Sequence, residues 1–290
     1  NMSRRQIAQE LECNFNMSGE TVLHPADLEK LESECLIEPK YKTGFDRNLW
    51  IWETYNPEHG YLLVADVARG DGKDYSAFHV IDLVTLEQVA EYQGRPNLET
   101  YAQLLSETAR EYGGCMLVVE NNNIGFAILE KLIEAGYPNI YFSVKSTHEY
   151  IEPHLAEYAS NSVPGFTTTM KTRPLIIAKL EEFIRNQLII LRSSRTINEM
   201  KTFIWNNGKP EAMRGYHDDL VMSLAIACWV RDTALITNQR DIEYKKSFLN
   251  SMIKSNSILD TTIPGMTGNK AGQAADEIKK RKEFIWLLKG

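Results

Sequence analysis

Two short apolar segments, YLLVAD (residues 61–66) and CMLVVE (residues 115–120), each end on a carboxylate. Their apolar character predicts buried β-strands. Side chains alternate between the faces of a strand, so Asp66 and Glu120 share a face with the apolar residues two and four positions before them. An acid there does not belong in an apolar core, and its position needs an explanation.

The order of elements around these segments constrains the fold. GYLLVADVA, YSAFHVIDL and VTLEQVAEYQG predict three consecutive strands. LETYAQLLSETAREYG and IGFAILEKLIEAG have helical spacing, with CMLVVE between them and YPNIYFSV after them. The order β-β-β-α-β-α-β predicts an α/β fold, a mixed sheet of a three-strand meander plus parallel βα units, flanked by helices. If the first and fourth strands are parallel neighbours, both acids emerge at the carboxyl edge, where open α/β sheets bind ligands.

A third acidic feature lies in GYHDDLVMSLAIACWV, residues 215–230, where Asp218 and Asp219 precede an apolar helix. One Asp is explained as a helix N-cap that contributes about 1 kcal/mol, but a cap does not explain both. Three converging carboxylates repel one another, and burial raises their pKa values. Mg²⁺ or Mn²⁺ takes oxygen ligands and relieves both effects. Singly, Asp66 or Glu120 has the simpler explanation of starting a turn.

Composition excludes several classes of protein. The chain has 290 residues, 43% of them hydrophobic, and a formal charge of -7, so overall charge does not indicate nucleic-acid binding. Its four cysteines include no C-x-x-C pair, which argues against a zinc site or a disulfide framework and favours a reducing, intracellular setting. No apolar run reaches the roughly 18 residues that cross a bilayer, and no signal peptide is evident.

The rest of the chain is less regular. Residues 143–170 predict a loop, RPLIIAKLEEFIRNQ and RTINEMKTFIWN predict helices, and LIILR predicts a short strand between them. Residues 165–210 carry eight basic side chains against three acids. That stripe suits a phosphate backbone, or equally a solvated helix face with its own ion pairs. Within it, TTTMKTRP places Lys171 and Arg173 beside a helix N-terminus, which favours phosphate.

Three motifs together resemble the nuclease domain of tailed-bacteriophage large terminases, notably the T-even-like branch: LLVADVARGDGKDYSAFHVIDL, LVVENNNIGFAILEKL and GYHDDLVMSL. The resemblance covers roughly residues 10–235. It implies a ribonuclease-H-like fold and a metal-dependent endonuclease that cuts concatemeric viral DNA during packaging. Cleavage would follow a two-metal mechanism with low sequence specificity, leaving 5′-phosphate and 3′-hydroxyl ends.

The resemblance also implies residue roles. Asp66, Glu120 and Asp219 would be the catalytic acids and would hold two Mg²⁺ or Mn²⁺ ions. Supporting positions fall on Asp74, Asp218, His217 and Asn122, with Gly125 in the turn after the second acid. Asp218 would cap the helix or support its neighbour, and His217 would orient a ligand or water, although a surface His is an equal alternative. The expected DNA contacts are Arg69, Lys73, Lys171 and Arg173.

The chain departs from these terminases in carrying no G-x-x-x-x-G-K-[ST] loop, which a packaging ATPase needs. We therefore expect a nuclease fragment: residues 1–45 as the segment from an N-terminal ATPase domain, 46–235 as nuclease and 236–290 as a flexible tail. ATPase activity is expected only in the full-length protein. The expected partners are double-stranded DNA, the portal protein and the small terminase subunit, without a membrane, in the host cell cytoplasm.

Other hypotheses stay open on the sequence alone. One is a Holliday-junction resolvase or transposase-like nuclease of the same fold. Another is an actin-like or sugar-kinase-like ATP-binding domain, which needs two phosphate hairpins where this chain shows one. A structural module that docks DNA or a portal without catalysis is the third.

Overall fold

A computed structural model describes residues 21–34, 36–68, 74–122, 124–144, 150–151 and 161–235. Its elements are α1 (Pro25–Glu34), β1 (Tyr41–Thr43), β2 (Leu49–Ile51), β3 (Tyr61–Asp66), β4 (Ser76–Asp82), β5 (Gln88–Gly94), α2 (Leu98–Glu111), β6 (Met116–Val119), α3 (Gly125–Glu134), β7 (Phe142–Val144), β8 (Tyr150–Ile151), β9 (Ser162–Pro164), α4 (Thr172–Arg185), α5 (Ser194–Lys201), β10 (Phe203–Asn206), β11 (Lys209–Ala212) and α6 (Asp219–Val230). A π-helical turn, Arg231–Leu235, follows α6.

The main sheet has six strands in the order β1-β2-β5-β4-β3-β6. The meander β3-β4-β5 is antiparallel, and β6 joins β3 in parallel. The predicted mixed sheet is confirmed, with the β1-β2 hairpin extending it beyond the predicted strands. Because β3 and β6 run parallel in the register Ala65↔Val119, the acids that follow them lie at one edge.

Helices cover both faces of the sheet. On one face, side chains of β3 and β6 form an apolar core with α1, α4, α5 and α6. On the other, the same strands pack against α2 and α3. Helix α6 is buried nearly all round, which explains why its sequence is apolar throughout rather than amphipathic. Its first turn is therefore fixed against the sheet.

Three local predictions are wrong. Residues 203–206, predicted as helix, form strand β10, because Phe-Ile-Trp favours extended backbone and Asn207-Gly208, both at positive φ, makes a hairpin turn to β11. The predicted loop 143–170 contains β8, β9 and most of β7. The predicted strand 188–192 makes only an isolated bridge, between Ile190 and Glu87.

The predicted linker is partly built into this fold. Within residues 1–45, α1 buries Leu28 and Leu31 in the core that contains α6, and β1 pairs with β2. Its connection to an ATPase domain stays a prediction. The predicted tail, residues 236–290, lies outside the described residues. In the described part of the chain, no helix combines the length and apolarity needed to span a bilayer.

Candidate active site

The first two acids are neighbours at the carboxyl edge of β3 and β6. The backbone amide of Glu120 donates to the carbonyl of Ala65 at 2.9 Å, which ties the end of β6 to the end of β3. Asp66 and Glu120 are close enough to hydrogen-bond through their carboxyl groups. The strand pattern thus predicts their convergence, and the structure shows it.

The third acid reaches this edge from α6. The carboxylate of Asp219 is 14% exposed, and its Oδ2 lies 3.4 Å from the backbone nitrogen of Tyr75, which donates to it. Together these groups line a cleft of about 390 Å³. The cleft is lined by Asp66, Val67, Ala68, Asp74, Glu120, Asn122, Thr168, Arg173, Tyr216, His217, Asp218 and Asp219.

Asp218 does not have the predicted capping role. It occupies the N-cap position of α6, but its side chain makes no capping hydrogen bond. Instead, an Nη2 of Arg173 donates to its Oδ2 at 2.6 Å. The two adjacent acids therefore have different surroundings. Asp218 is paired with a cation, and Asp219 faces the other carboxylates.

Burial and crowding raise the pKa values of two acids in the cleft. Burial raises the pKa of Asp66 well above its ordinary value, and the charges of Glu120, Asp219 and Asp218 raise it further. Burial also raises the pKa of Asp219 to about 7, with the charge of Asp218 as the next cause. The carboxyl groups of the cleft therefore do not all ionise easily at once. A hard divalent cation suits them, because it takes oxygen ligands and compensates the repulsion between their negative charges.

The carboxylates of the cleft are not arranged as ligands around a metal ion. Among the described residues, no three acidic, cysteine or histidine side chains stand in a ready-made metal-binding arrangement. Asp66 instead interacts directly with Glu120, and this interaction raises the pKa of Asp66. The all-oxygen chemistry of the set nevertheless fits a hard divalent cation.

The turn after Glu120 holds its carboxylate in place. Asn122 Nδ2 donates to Glu120 Oε1 at 3.0 Å and to the carbonyl of Thr168 at 2.8 Å. Gly125 begins α3 directly against this turn, where an added Cβ would lie 1.8 Å from the carbonyl oxygen of Glu120. Asn122 is thus hydrogen-bonded to Glu120, and a glycine at position 125 allows α3 to begin this close to the backbone of Glu120.

Asp74 and His217 border the same cleft at longer range. His217 Nδ1 lies 3.9 Å from Asp74 Oδ1 and 3.8 Å from Asp219 Oδ2, beyond hydrogen-bond distance. The His217 ring packs edge-on against Tyr75, with centroids 4.9 Å apart. This packing holds the imidazole beside Asp219, and its role in orienting a ligand or water stays a prediction.

The structure describes two of the four expected DNA contacts. Lys171 is exposed at the start of α4, and Arg173 lines the cleft. Arg69 and Lys73 lie outside the described residues. Much of the wider basic stripe is instead occupied by ion pairs within the fold. Two of these pairs run along one helix, as the alternative explanation predicts, and three reach acids elsewhere in the fold. The paired side chains are Lys179, Arg185, Arg192, Arg195 and Lys201.

Sequence reasoning missed Thr168 as a residue of the cleft. Its Oγ1 is buried and has no hydrogen-bond partner among the described residues. Threonines occur throughout TTTMKTRP, so nothing in the sequence distinguishes this one. An unsatisfied hydroxyl in a polar cleft is a candidate ligand contact.

The sheet order, the flanking helices and the acidic cleft define the class: this is a ribonuclease-H-like fold. No protein-family model matches the chain. The large terminase subunit of Thermus virus P23-45 is 28% identical over 232 residues, 78% of this chain and 42% of the relative. The chain therefore spans less than half the length of that relative.

Solved structures show the same fold. The crystal structure of the large terminase nuclease from thermophilic phage G20c with bound magnesium has a TM-score of 0.55 and 21% identity, covering 72% of this chain and 96% of that one. The same nuclease with bound cobalt has a TM-score of 0.54, 22% identity and the same coverage. The resemblance to the nuclease domain of phage large terminases is confirmed. The relatives are from Thermus phages, and placement in a T-even-like branch stays a prediction.

Proposed function

We propose that this chain is a metal-dependent DNA endonuclease that cuts concatemeric viral DNA during genome packaging. One observation carries the proposal: Asp66, Glu120 and Asp219, from three separate elements, line one cleft at the carboxyl edge of the sheet. The raised pKa values of Asp66 and Asp219 support it, because burial and crowding disfavour their charged forms without a cation. Such strongly perturbed acids in a cleft are typical of functional sites.

These three carboxylates would hold two Mg²⁺ or Mn²⁺ ions. Bound there, such a pair would supply an activated water and charge stabilisation for hydrolysis of a phosphodiester. The crystal structures of the G20c terminase nuclease with magnesium and with cobalt support divalent-metal binding by this fold. The resemblance to terminases carries the expectation of 5′-phosphate and 3′-hydroxyl ends to this chain.

The neighbouring side chains supply positioning. Asn122 holds Glu120 toward the cleft through its 3.0 Å hydrogen bond. Arg173 neutralises Asp218 and places a guanidinium within the cleft, where it would meet a DNA phosphate. Contacts to phosphates carry no sequence information, which accords with low sequence specificity.

The similarity to large terminase subunits supports a biological setting in genome packaging. We propose double-stranded DNA, a portal protein and a small terminase subunit as partners, in the cytoplasm of the infected host. Residues 46–235 would form the nuclease, preceded by a segment from an ATPase domain and followed by a flexible tail. ATP hydrolysis would belong to the longer protein.

Plasmid cleavage tests the proposal. The chain should cut supercoiled and linear DNA with Mg²⁺ or Mn²⁺ and should not cut in EDTA. Ca²⁺, another cation that binds oxygen ligands, is tested in the same assay for comparison. Asp66→Asn and Asp219→Asn should abolish cutting while the circular-dichroism spectrum stays native. Glu111→Gln, the same charge change at an exposed position, is the matched control. Full cutting by a folded Asp66→Asn protein would overturn the assignment, and a strong preference for branched DNA would favour a resolvase.

A further inference from the structure

Glu199, on α5, is a buried acid outside the cleft that the proposed reaction does not use. Its residue exposure is only 9%. Glu199 Oε1 accepts a hydrogen bond from Gln93 Nε2 on β5 at 2.5 Å. Glu199 Oε2 faces the start of α6. A carboxylate is rarely buried to this extent unless its hydrogen-bonding capacity is used.

The partners of Glu199 Oε2 are backbone amides of the first turn of α6. Leu220 N donates at 2.9 Å and Val221 N at 3.4 Å. Because α6 begins at Asp219, these amides are the second and third of the helix. Those are the amides that an N-cap side chain ordinarily satisfies. The side chain of Asp218 makes no hydrogen bond to them and is bonded to Arg173 instead.

A second buried group holds the same residue from the sheet. Ring nitrogen Nε2 of His79, on β4, lies 2.9 Å from the carbonyl oxygen of Leu220. A carbonyl only accepts, so Nε2 carries the proton and donates. His79 Nδ1 then accepts from Gln88 Nε2 at 2.8 Å. Leu220 is therefore held at its amide by Glu199 and at its carbonyl by His79, one residue after Asp219.

We propose that Glu199 is a positioning residue that caps α6 from a neighbouring helix and so fixes Asp219 for metal binding. The cap contributed by Glu199 leaves both members of the Asp218-Asp219 pair free of capping. Asp218 can then hold Arg173, and Asp219 can face Asp66 and Glu120. The metal-binding part of this inference rests on the proposed function, and the capping part does not.

The substitutions that test this role follow from the contacts. Glu199→Gln keeps a side-chain oxygen that can accept from both amides of α6, and its new NH2 group can donate to Gln93 once the Gln93 amide turns its oxygen toward it. Burial already raises the pKa of Glu199 to about 8, so loss of the charge costs little. Glu199→Ala removes the acceptor. Ile197→Val is the matched control, because Ile197 is fully buried on the same helix and its apolar side chain can form no hydrogen bond with α6.

Two measurements on the 290-residue chain separate the parts of the inference. Hydrogen–deuterium exchange reports the amides at the start of α6 without requiring activity. Mn²⁺ titration, followed by the electron paramagnetic resonance of the free ion, reports metal affinity. In Glu199→Ala we expect faster exchange in the first turn of α6 and Mn²⁺ affinity about 10- to 100-fold weaker, the range seen when residues supporting metal ligands are removed. Glu199→Gln should restore both, and Ile197→Val should leave Mn²⁺ affinity unchanged.

Each contrary result has a distinct meaning. Unchanged exchange and unchanged affinity in a folded Glu199→Ala protein would overturn the inference. Equal weakening of Mn²⁺ binding by Ile197→Val would also overturn it, because general loosening of α5 would then suffice. If Glu199→Ala does not fold, the failure of Glu199→Gln to bind Mn²⁺ like the wild type would refute it. A wild-type chain that neither binds Mn²⁺ nor cuts DNA would overturn the proposed function and the metal-binding part, and exchange would then decide the capping part alone.

Discussion

Gly125→Ala has two opposing effects on the stability of the fold, a gain in helix propensity and a steric clash. Helix α3 begins at Gly125, where the backbone φ is not positive, so helix propensity favours alanine by about 1 kcal/mol. The added Cβ, however, would lie 1.8 Å from the carbonyl oxygen of Glu120, where 3.0 Å is the practical minimum. The backbone must move by about 1.2 Å, and overpacking of this kind costs about 1–3 kcal/mol. The steric effect should win, with net destabilisation of up to about 2 kcal/mol.

The larger consequence should be catalytic. The displaced carbonyl belongs to Glu120, so relief of the clash moves a proposed metal ligand by about an ångström. A misplacement of that size in an active site costs about 100-fold in rate. Urea unfolding and metal-dependent plasmid cleavage measure the two effects separately on one preparation.

Gly60→Ala is the control, because its Cβ would meet only Leu83 Cδ1, at an ordinary 3.6 Å. It should leave cleavage unchanged. If Gly125→Ala is more stable than the wild type and cuts at the wild-type rate, the close approach of α3 to Glu120 does not constrain the site, and the reasoning fails.

Three further predictions concern the cleft. Asn122→Ala should raise the half-saturating Mn²⁺ concentration for cleavage about tenfold, because it releases Glu120. Asn139→Ala removes a similar bond to a backbone carbonyl elsewhere and should leave that Mn²⁺ concentration unchanged. Arg173→Ala should weaken DNA binding and lower the salt dependence of log Kd by about one phosphate contact. Arg185→Ala, at an exposed position, should change neither quantity. If Arg173→Ala has the same salt slope as the wild type, Arg173 does not contact a DNA phosphate. Mn²⁺ at about 100 times its Kd should stabilise the wild type in thermal unfolding by about 2.7 kcal/mol for each bound ion and leave Asp219→Asn unstabilised. Equal stabilisation of both proteins would place the metal elsewhere.

The sequence was sufficient to predict the residues that converge, because strand alternation and strand direction determine where Asp66 and Glu120 emerge. It was not sufficient for the start of α6. The Asp218-Asp219 pair looks locally like a cap, but the cap comes from Glu199, whose place depends on how α5 packs beside α6. No local pattern encodes that packing.

The same limit explains the other errors. Residues 203–206 carry a helical pattern when joined to the preceding segment, and the Asn-Gly turn that makes them a strand was not weighed. The basic stripe has the composition of a phosphate-binding surface, but many of its charges find acids across the fold, such as Arg195 with Glu91. Which cations remain available to a ligand is a property of tertiary structure.

The central claim is that three acids at the ends of β3, of β6 and at the start of α6 hold the metal that cuts DNA. Anomalous diffraction from Mn²⁺-soaked crystals tests this most directly. We expect two peaks about 3.5–4 Å apart in the cleft, coordinated by Asp66, Glu120 and Asp219, with neither peak in crystals of Asp66→Asn. Manganese bound only outside the cleft, or an unchanged pair of peaks in Asp66→Asn, would contradict the account.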